Sequence, residues 1–174
     1  MSKELSFKTP EEFAAAQDKF FEQHPEIPEA EDVECLDLIM NKENAEMILR
    51  GEKPLEFRKC SDFYCKRLID KDVCKYIDDH IDDDEVVMFC DDVRQVKMIH
   101  FHNYNNSWFL DVECDFNDMF MINKTDIEFL QEEYGVHDFD EVLEEFEKNH
   151  VEQEQRPTLF YFVIGKVLGT NLKV

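Results

Sequence analysis

The chain has 174 residues, of which 19 are Lys or Arg and 42 are Asp or Glu, so its formal net charge is −23 at pH 7. This length suits one domain with extensions, and an apolar share of 43% with 16 Phe excludes wholesale disorder. So acidic a chain repels a bare phosphate backbone at long range. Any contact with nucleic acid must therefore use a local patch.

The sequence disfavours both a membrane protein and a disulfide-stabilised protein. No stretch approaches the roughly eighteen consecutive apolar residues of a membrane span, and the opening MSKELSFKTPEEF has no apolar signal core. We therefore expect a cytoplasmic location and no membrane partner. Three of the six cysteines, Cys35, Cys90 and Cys114, lie in apolar runs, and the spacing is irregular, which favours reduced thiols. Cys65 is expected to be inert, because no base is placed beside it.

The chain opens with a predicted helix and linker. Thr9 is a helix-capping residue followed by Pro10, and apolar residues recur at helical spacing over about 10–23. Pro25 and Pro28 end this pattern. The sequence thus predicts an N-terminal helical extension and linker over 1–28 and a main domain over 29–174.

The main domain begins as strand, helix and strand. A strand is predicted over 34–40 and a helix, capped by Asn41, over 42–50. Gly51 follows this helix directly, at the position where a C-terminal cap in the left-handed conformation is expected. Residues 54–59 alternate apolar and charged side chains, as a half-buried strand does.

The remaining elements favour a mixed fold. Two short helices are predicted over 61–81, capped by Ser61 and Asp70, and the acidic run 78–85 is expected to be a solvated surface. Further strands are predicted over Val86–Cys90, Gln95–His102, Trp108–Asp115, Met119–Ile122 and Thr158–Leu168, with a hairpin turn at 103–106. Two further helices are predicted over Thr125–Tyr134 and Phe139–Asn149. This order predicts an α+β fold, a small, mostly antiparallel β-barrel flanked by helices.

Positive charge is concentrated around Gly51. Residues 42–75 hold nine Lys or Arg and seven acids, a net charge of +2, whereas the rest of the chain holds ten and 35, a net charge of −25. Within this island, Gly51-x-Lys53-x-x-Glu56-x-Arg58 places Glu56 and Arg58 on one face of a strand. An ammonium, a carboxylate and a guanidinium can together hold a phosphate or a base edge. On spacing alone, a surface ion pair is the favoured interpretation.

The same motif resembles the signature of the ASCH family, and the resemblance covers roughly residues 34–168. It implies a PUA-like β-barrel and a module that binds RNA or a nucleotide-like ligand. The residues that this resemblance and the neighbouring pattern assign to the cleft are Gly51, Lys53, Glu56, Arg58, Lys59 and Tyr161, although for Tyr161 core packing and base stacking both stay open. Residues 60–82 depart from the family pattern as a helical insertion, and whether this insertion covers or reshapes the cleft stays open at this point.

Two other functions are open alternatives. One branch of the ASCH family hydrolyses the amide of acetylated cytidine, and the resemblance then implies a metal-independent hydrolase with Lys53, Glu56 and either Glu132 or Glu133 as catalytic residues. Glu56 stands where that branch has a Thr nucleophile, so here it would act as a general base toward water. The other alternative is an acidic protein that binds a basic protein partner or mimics nucleic acid.

No cofactor or metal is expected. His100 and His102 share one face of a strand, but no third ligand has recognisable spacing, so structural or surface roles are favoured. Cys60-x4-Cys65 is likewise not the spacing of a zinc knuckle.

Overall fold

The computed structural model describes residues 7–173, which divide into two compact units. One unit, here called the helical unit, comprises residues 7–31 and Ile69–Arg94. The other, the sheet unit, comprises Asp32–Leu68 and Gln95–173. The helices are α1 Pro10–Gln23, α2 Lys42–Leu49, α3 Asp62–Leu68, α4 Lys71–Asp79, α5 Asp84–Phe89, α6 Lys124–Tyr134 and α7 Asp140–Lys148, and the strands are β1 Val33–Ile39, β2 Leu55–Lys59, β3 Val96–His102, β4 Phe109–Met121 and β5 Thr158–Thr170.

The five strands form one mixed sheet in the order β1-β3-β4-β5-β2. β1 pairs with β3 in parallel, and the other three pairings are antiparallel. Over residues 7–173 this sheet is open, with β1 and β2 as its edges, so the predicted closed barrel is wrong while the α+β class is confirmed. The barrel prediction rests on the order of helices and strands along the chain, and this order does not specify whether the two edge strands pair.

The two faces of the sheet are both packed near β2 and β5. One face contributes Leu55 and Tyr161 to an apolar core that includes Ile127 and Leu130 of α6. Phe160 and Phe162 alternate with Tyr161 and are fully buried on the opposite face. Glu56 and Arg58 pair in register with Phe162 and Phe160, which places the charged residues of β2 on that second face.

Local signals set most helix ends as predicted. The Thr9 hydroxyl accepts a hydrogen bond from the Glu12 amide at 3.1 Å, and the Asn41 side chain accepts one from the Asn44 amide at 2.8 Å. The Asp70 carboxylate likewise caps α4. Met119–Ile122, predicted as a separate strand, is largely the continuation of β4, which runs to Met121.

The predicted strand Val86–Cys90 is wrong, because these residues lie largely in α5. Asp83 caps this helix through the Glu85 and Val86 amides, and Val86 and Phe89, one helical turn apart, are both buried. They share a core with Phe20 of α1 and with Ile27. The stretch 24–29, interpreted as a linker, thus supplies a buried core residue of the helical unit.

No helix within residues 7–173 has the length and apolar character needed to cross a bilayer.

Candidate ligand-binding site

The turn around Gly51 brings three signature side chains together. Gly51 has φ of +74°, and its amide donates to the Ile48 carbonyl at 3.0 Å, which ends α2 and directs the chain into β2. Lys53 Nζ lies 3.6 Å from Glu56 Oε2, and Arg58 Nε lies 3.2 Å from Glu56 Oε1. The carboxylate is therefore bracketed by two cations.

Glu56 is buried, with 7% of its surface exposed. Among the described residues 7–173, neither Glu56 Oε2 nor Arg58 Nε has a hydrogen-bond partner, so the ion pairs are not reinforced by good hydrogen-bond geometry. Burial raises the pKa of the Glu56 carboxyl, and the attraction of Lys53 and Arg58 opposes this rise only in part. The Glu56 side chain lines neither of the two cavities described below, so it contacts its own two cations and is not presented to either cavity.

Arg58 connects three elements of the sheet unit. Its Nη2 donates to the Ile39 carbonyl at the end of β1 at 2.9 Å, and its Nη1 donates to the Tyr64 hydroxyl on α3 at 3.3 Å. One guanidinium thus joins both edge strands and the helix that follows β2. This contact places the signature beside a cavity that the motif alone does not define.

The cavity, here called the β1–α3 cavity, has a volume of about 540 Å³. Residues of β1 between Val33 and Ile39 form one wall, and His102 of β3 also lines it. The opposing residues are Arg58, Phe63, Tyr64 and Arg67. Both the size and the mixed aromatic and cationic lining are those of a small-ligand site.

Arg67 and Phe63 form a stacked pair in this lining. The Arg67 guanidinium carbon lies 3.6 Å from the centroid of the Phe63 ring, and Phe63 is 50% exposed. The Phe63 carbonyl accepts a hydrogen bond from Arg67 Nη1 at 2.8 Å. Within residues 7–173, no carboxylate lies at ion-pair distance from Arg67. No carboxylate among the described residues thus neutralises the Arg67 charge by a direct ion pair.

A second cavity of about 500 Å³, the Gly51 cavity, adjoins the signature turn. Lys53 lines it opposite Tyr134 and Val136, which lie at and just after the end of α6. Glu132 and Glu133, the candidate third catalytic residues, are exposed on α6 and outside the lining of either cavity described here. The structure thus brings Lys53 and Glu56 together, but it does not bring Glu133 to them.

The two other predicted ligand residues are placed differently. Lys59 is exposed at the end of β2. Tyr161 is 4% exposed and belongs to the apolar core, so of its two interpretations the structure favours packing. Its ring has Phe120 and Tyr134 as aromatic neighbours.

The two histidines each have a carboxylate partner. His100 contacts Asp111 and His102 contacts Asp37, and the two imidazoles stack with their centroids 5.3 Å apart. The pKa of His102 is raised, first by its hydrogen bond to the Asn103 carbonyl and also by Asp37. Across residues 7–173, no group of three or more His, Cys, Asp or Glu side chains is arranged to hold a metal ion.

The residues that sequence reasoning missed are on α3. Phe63, Tyr64 and Arg67 lie at i, i+1 and i+4 of one short helix, so they cover neighbouring parts of its surface. The available signal was an aromatic pair preceding Arg67 within the basic island. Their meeting with β1 depends on the path of the chain and has no local signal.

Comparison with known proteins yields no relative: no family model, no curated protein and no solved structure matches this chain.

Proposed function

We propose that this chain is a nucleotide-binding module that takes a mononucleotide, or one nucleotide of an RNA strand, into the β1–α3 cavity. The observation that carries the proposal is the Arg67–Phe63 pair at that cavity. The Arg67 guanidinium stacks on the half-exposed Phe63 ring and has no carboxylate partner within residues 7–173. Nucleotides combine a flat aromatic base with an anionic phosphate, and this pair offers a surface for each.

The charges of the lining support an anionic ligand. Arg58 and Arg67 both line the cavity, and its acidic residue, Asp37, is engaged by His102. Glu56 lies behind Arg58 and offsets part of its charge. Arg67 is thus the cation best placed to hold the phosphate, while Arg58 fixes the walls of the cavity through the Ile39 carbonyl and the Tyr64 hydroxyl.

The resemblance to ASCH domains supports the same ligand class by a separate route. Arg58, the last residue of the signature Gly51-x-Lys53-x-x-Glu56-x-Arg58, lines the β1–α3 cavity, and Lys53 lines the neighbouring Gly51 cavity. In this chain α3, part of the predicted insertion at 60–82, supplies the aromatic surface. The proposed site therefore combines a signature residue with residues outside the signature.

The test compares Arg67→Ala with Lys66→Ala, which removes the same charge from the neighbouring exposed position of α3 outside the cavity lining. Binding of nucleoside monophosphates, the matching nucleosides and a short single-stranded RNA is measured by calorimetry at several salt concentrations. Loss of a stacking and phosphate contact weakens binding by about 10-fold to 100-fold in Arg67→Ala. Lys66→Ala is expected to bind as the wild type does, apart from a small uniform loss of long-range attraction.

The ligands in the panel separate the possible outcomes. Equal affinity for RNA and for the mononucleotide identifies a site for a free nucleotide, and tighter binding of RNA identifies a strand-binding site. Nucleosides that bind as well as their monophosphates contradict the phosphate contact. No binding by wild type, or equal losses in the two variants, refutes the proposal. Including acetylated cytidine tests the hydrolase alternative, which predicts deacylation that Lys53→Ala abolishes.

A further inference from the structure

Two cysteines meet beside the proposed site. Cys60 directly follows β2 and Cys65 lies on α3, and their sulfur atoms are 2.6 Å apart. A disulfide bond is about 2.05 Å long, so little motion of the side chains separates this contact from a covalent bond. Both residues are half-buried, which leaves the pair accessible to small reagents.

Backbone hydrogen bonds fix both ends of the pair. The Cys60 amide donates to the Thr158 carbonyl of β5 at 3.0 Å, and the Cys65 amide donates to the Ser61 carbonyl at 2.8 Å. The Ser61 amide in turn donates to the Lys59 carbonyl at 2.8 Å. The backbone thus holds the two sulfur atoms close to bonding distance of each other.

The Cys60 thiol is hard to deprotonate. The pKa of Cys60 is raised to about 12, first by burial and then by the hydrogen bond and charge of Cys65. Cys60 is therefore a poor nucleophile while both thiols are reduced, which leaves Cys65 as the thiol that we expect to react first. Once the Cys65 sulfur is in a disulfide, its contributions to the raised pKa disappear, and Cys60 becomes easier to deprotonate.

We propose that Cys60 and Cys65 form an intramolecular disulfide by exchange with a low-molecular-weight disulfide such as glutathione disulfide. This reverses the sequence-based expectation of reduced thiols and an inert Cys65, because the structure places the Cys60 sulfur beside it. In the first step the Cys65 thiolate attacks one sulfur of glutathione disulfide, which forms a mixed disulfide and releases one glutathione thiolate. In the second step Cys60 loses its proton to solvent and attacks the Cys65 sulfur, which forms the Cys60–Cys65 bond and releases the second glutathione. Two protein thiols are oxidised and one glutathione disulfide is reduced to two glutathione molecules.

The bond would tie α3 to the end of β2. Phe63 and Arg67 of α3 line the β1–α3 cavity, and Arg58 of β2 lines it as well. The disulfide is thus a means of holding the cavity walls in register, and this consequence rests on the proposed nucleotide binding. The exchange reaction itself does not depend on any ligand.

The test uses the full-length chain and glutathione redox buffers. Trypsin cleaves after Lys59 and Lys66, so both cysteines fall in the single peptide Cys60–Lys66. After oxidation and alkylation of remaining thiols, we expect this peptide to be two hydrogen atoms lighter than its reduced form and to carry no alkyl group. In Cys60→Ser, glutathione is expected to attach to Cys65. In Cys65→Ser it is expected to attach to Cys60 at least about tenfold more slowly, since burial disfavours the Cys60 thiolate.

Cys74→Ser, which removes another half-buried thiol on α4, is the matched control and is expected to keep the light peptide. Full alkylation of Cys60 and Cys65 in oxidised wild-type protein overturns the proposal, as does a disulfide from either residue to a different cysteine. The mass of the peptide is independent of ligand binding, so a failed nucleotide assay leaves this result interpretable. A light peptide with unchanged nucleotide affinity would support the bond and contradict its effect on the cavity.

Discussion

Replacing Glu56 by Gln is expected to change how the stability of the sheet unit depends on pH. Burial raises the pKa of the Glu56 carboxyl in the folded protein, with Lys53 and Arg58 opposing the rise. Between the unfolded pKa, about 4.3, and the raised folded pKa, the folded chain keeps a proton that the unfolded chain has lost. The contribution of Glu56 to stability is therefore full below this window and is lost as the pH rises through it.

The size of the effect follows from one proton. Within the window, the free energy of unfolding falls by up to about 1.4 kcal/mol per pH unit, and above the folded pKa the loss is constant. Gln cannot titrate, so the variant lacks this slope. Gln resembles the protonated carboxyl, so any difference in packing between the two neutral groups shifts the whole curve and leaves the slope of the difference unchanged.

The assay is urea unfolding from about pH 4, just below the unfolded pKa, to about pH 8. It is monitored by the fluorescence of Trp108, the single Trp of the chain, which is 7% exposed in the sheet unit. Wild-type stability minus Glu56→Gln stability is expected to fall as the pH rises. A difference that is flat or rises with pH would refute the reasoning, because it would mean that the ion pairs outweigh burial.

Glu52→Gln is the matched control on the same turn. Glu52 is fully exposed and accepts hydrogen bonds from Arg50 at 3.0 and 3.1 Å, which lower its pKa. A carboxylate of this kind contributes stability that is present at neutral pH and lost on acidification, so its difference profile has the opposite sign. If the stability difference changed with pH in the same direction for both variants, the cause would be a global charge effect.

Two further changes test the fold. Gly51→Ala is expected to cost about 1 kcal/mol in urea unfolding, because φ of +74° is unfavourable for an L side chain although the space around it is open, and Gly51→Asn is expected to cost less. Phe89→Ala is expected to destabilise the helical unit by about 3–5 kcal/mol, since its ring packs against Phe13 and Phe20 with centroids 5.4 and 5.2 Å away. Hydrogen exchange of α1 measures this loss, and the half-exposed Phe129→Ala is the control, with a change within about 0.5 kcal/mol. Unchanged protection of α1 in Phe89→Ala would contradict the assigned core.

Part of the candidate site was predictable from short-range pattern. The period of a strand places Glu56 and Arg58 on one face, and Gly51 supplies the positive φ that directs Lys53 toward them. These relations involve residues close in sequence, so backbone geometry fixes them. Burial of Glu56 had no such signal, because it depends on the partner strand β5 and on Phe162 beside it.

The cavity itself had no local signal. β1 and α3 are separated by more than twenty residues, and the Arg58 contacts to Ile39 and Tyr64 form only when both are in place. The pairing of Cys60 with Cys65 also depends on the path of the chain, since the turn at Ser61 and the end of β2 orient the two sulfur atoms.

The sequence alone determined the caps of α1, α2 and α4, the β3–β4 hairpin and the α+β class, because capping, turn chemistry and side-chain period act over a few residues. Tertiary structure alone decided three features. Val86–Cys90 is mostly helical because Val86 and Phe89 pack on α1, although their β-branched and aromatic composition favours a strand. The sheet is open because β1 and β2 remain its edges, and Tyr161 is buried because α6 covers its face. Each outcome follows from burial between distant segments, which outweighs local preference when the two disagree.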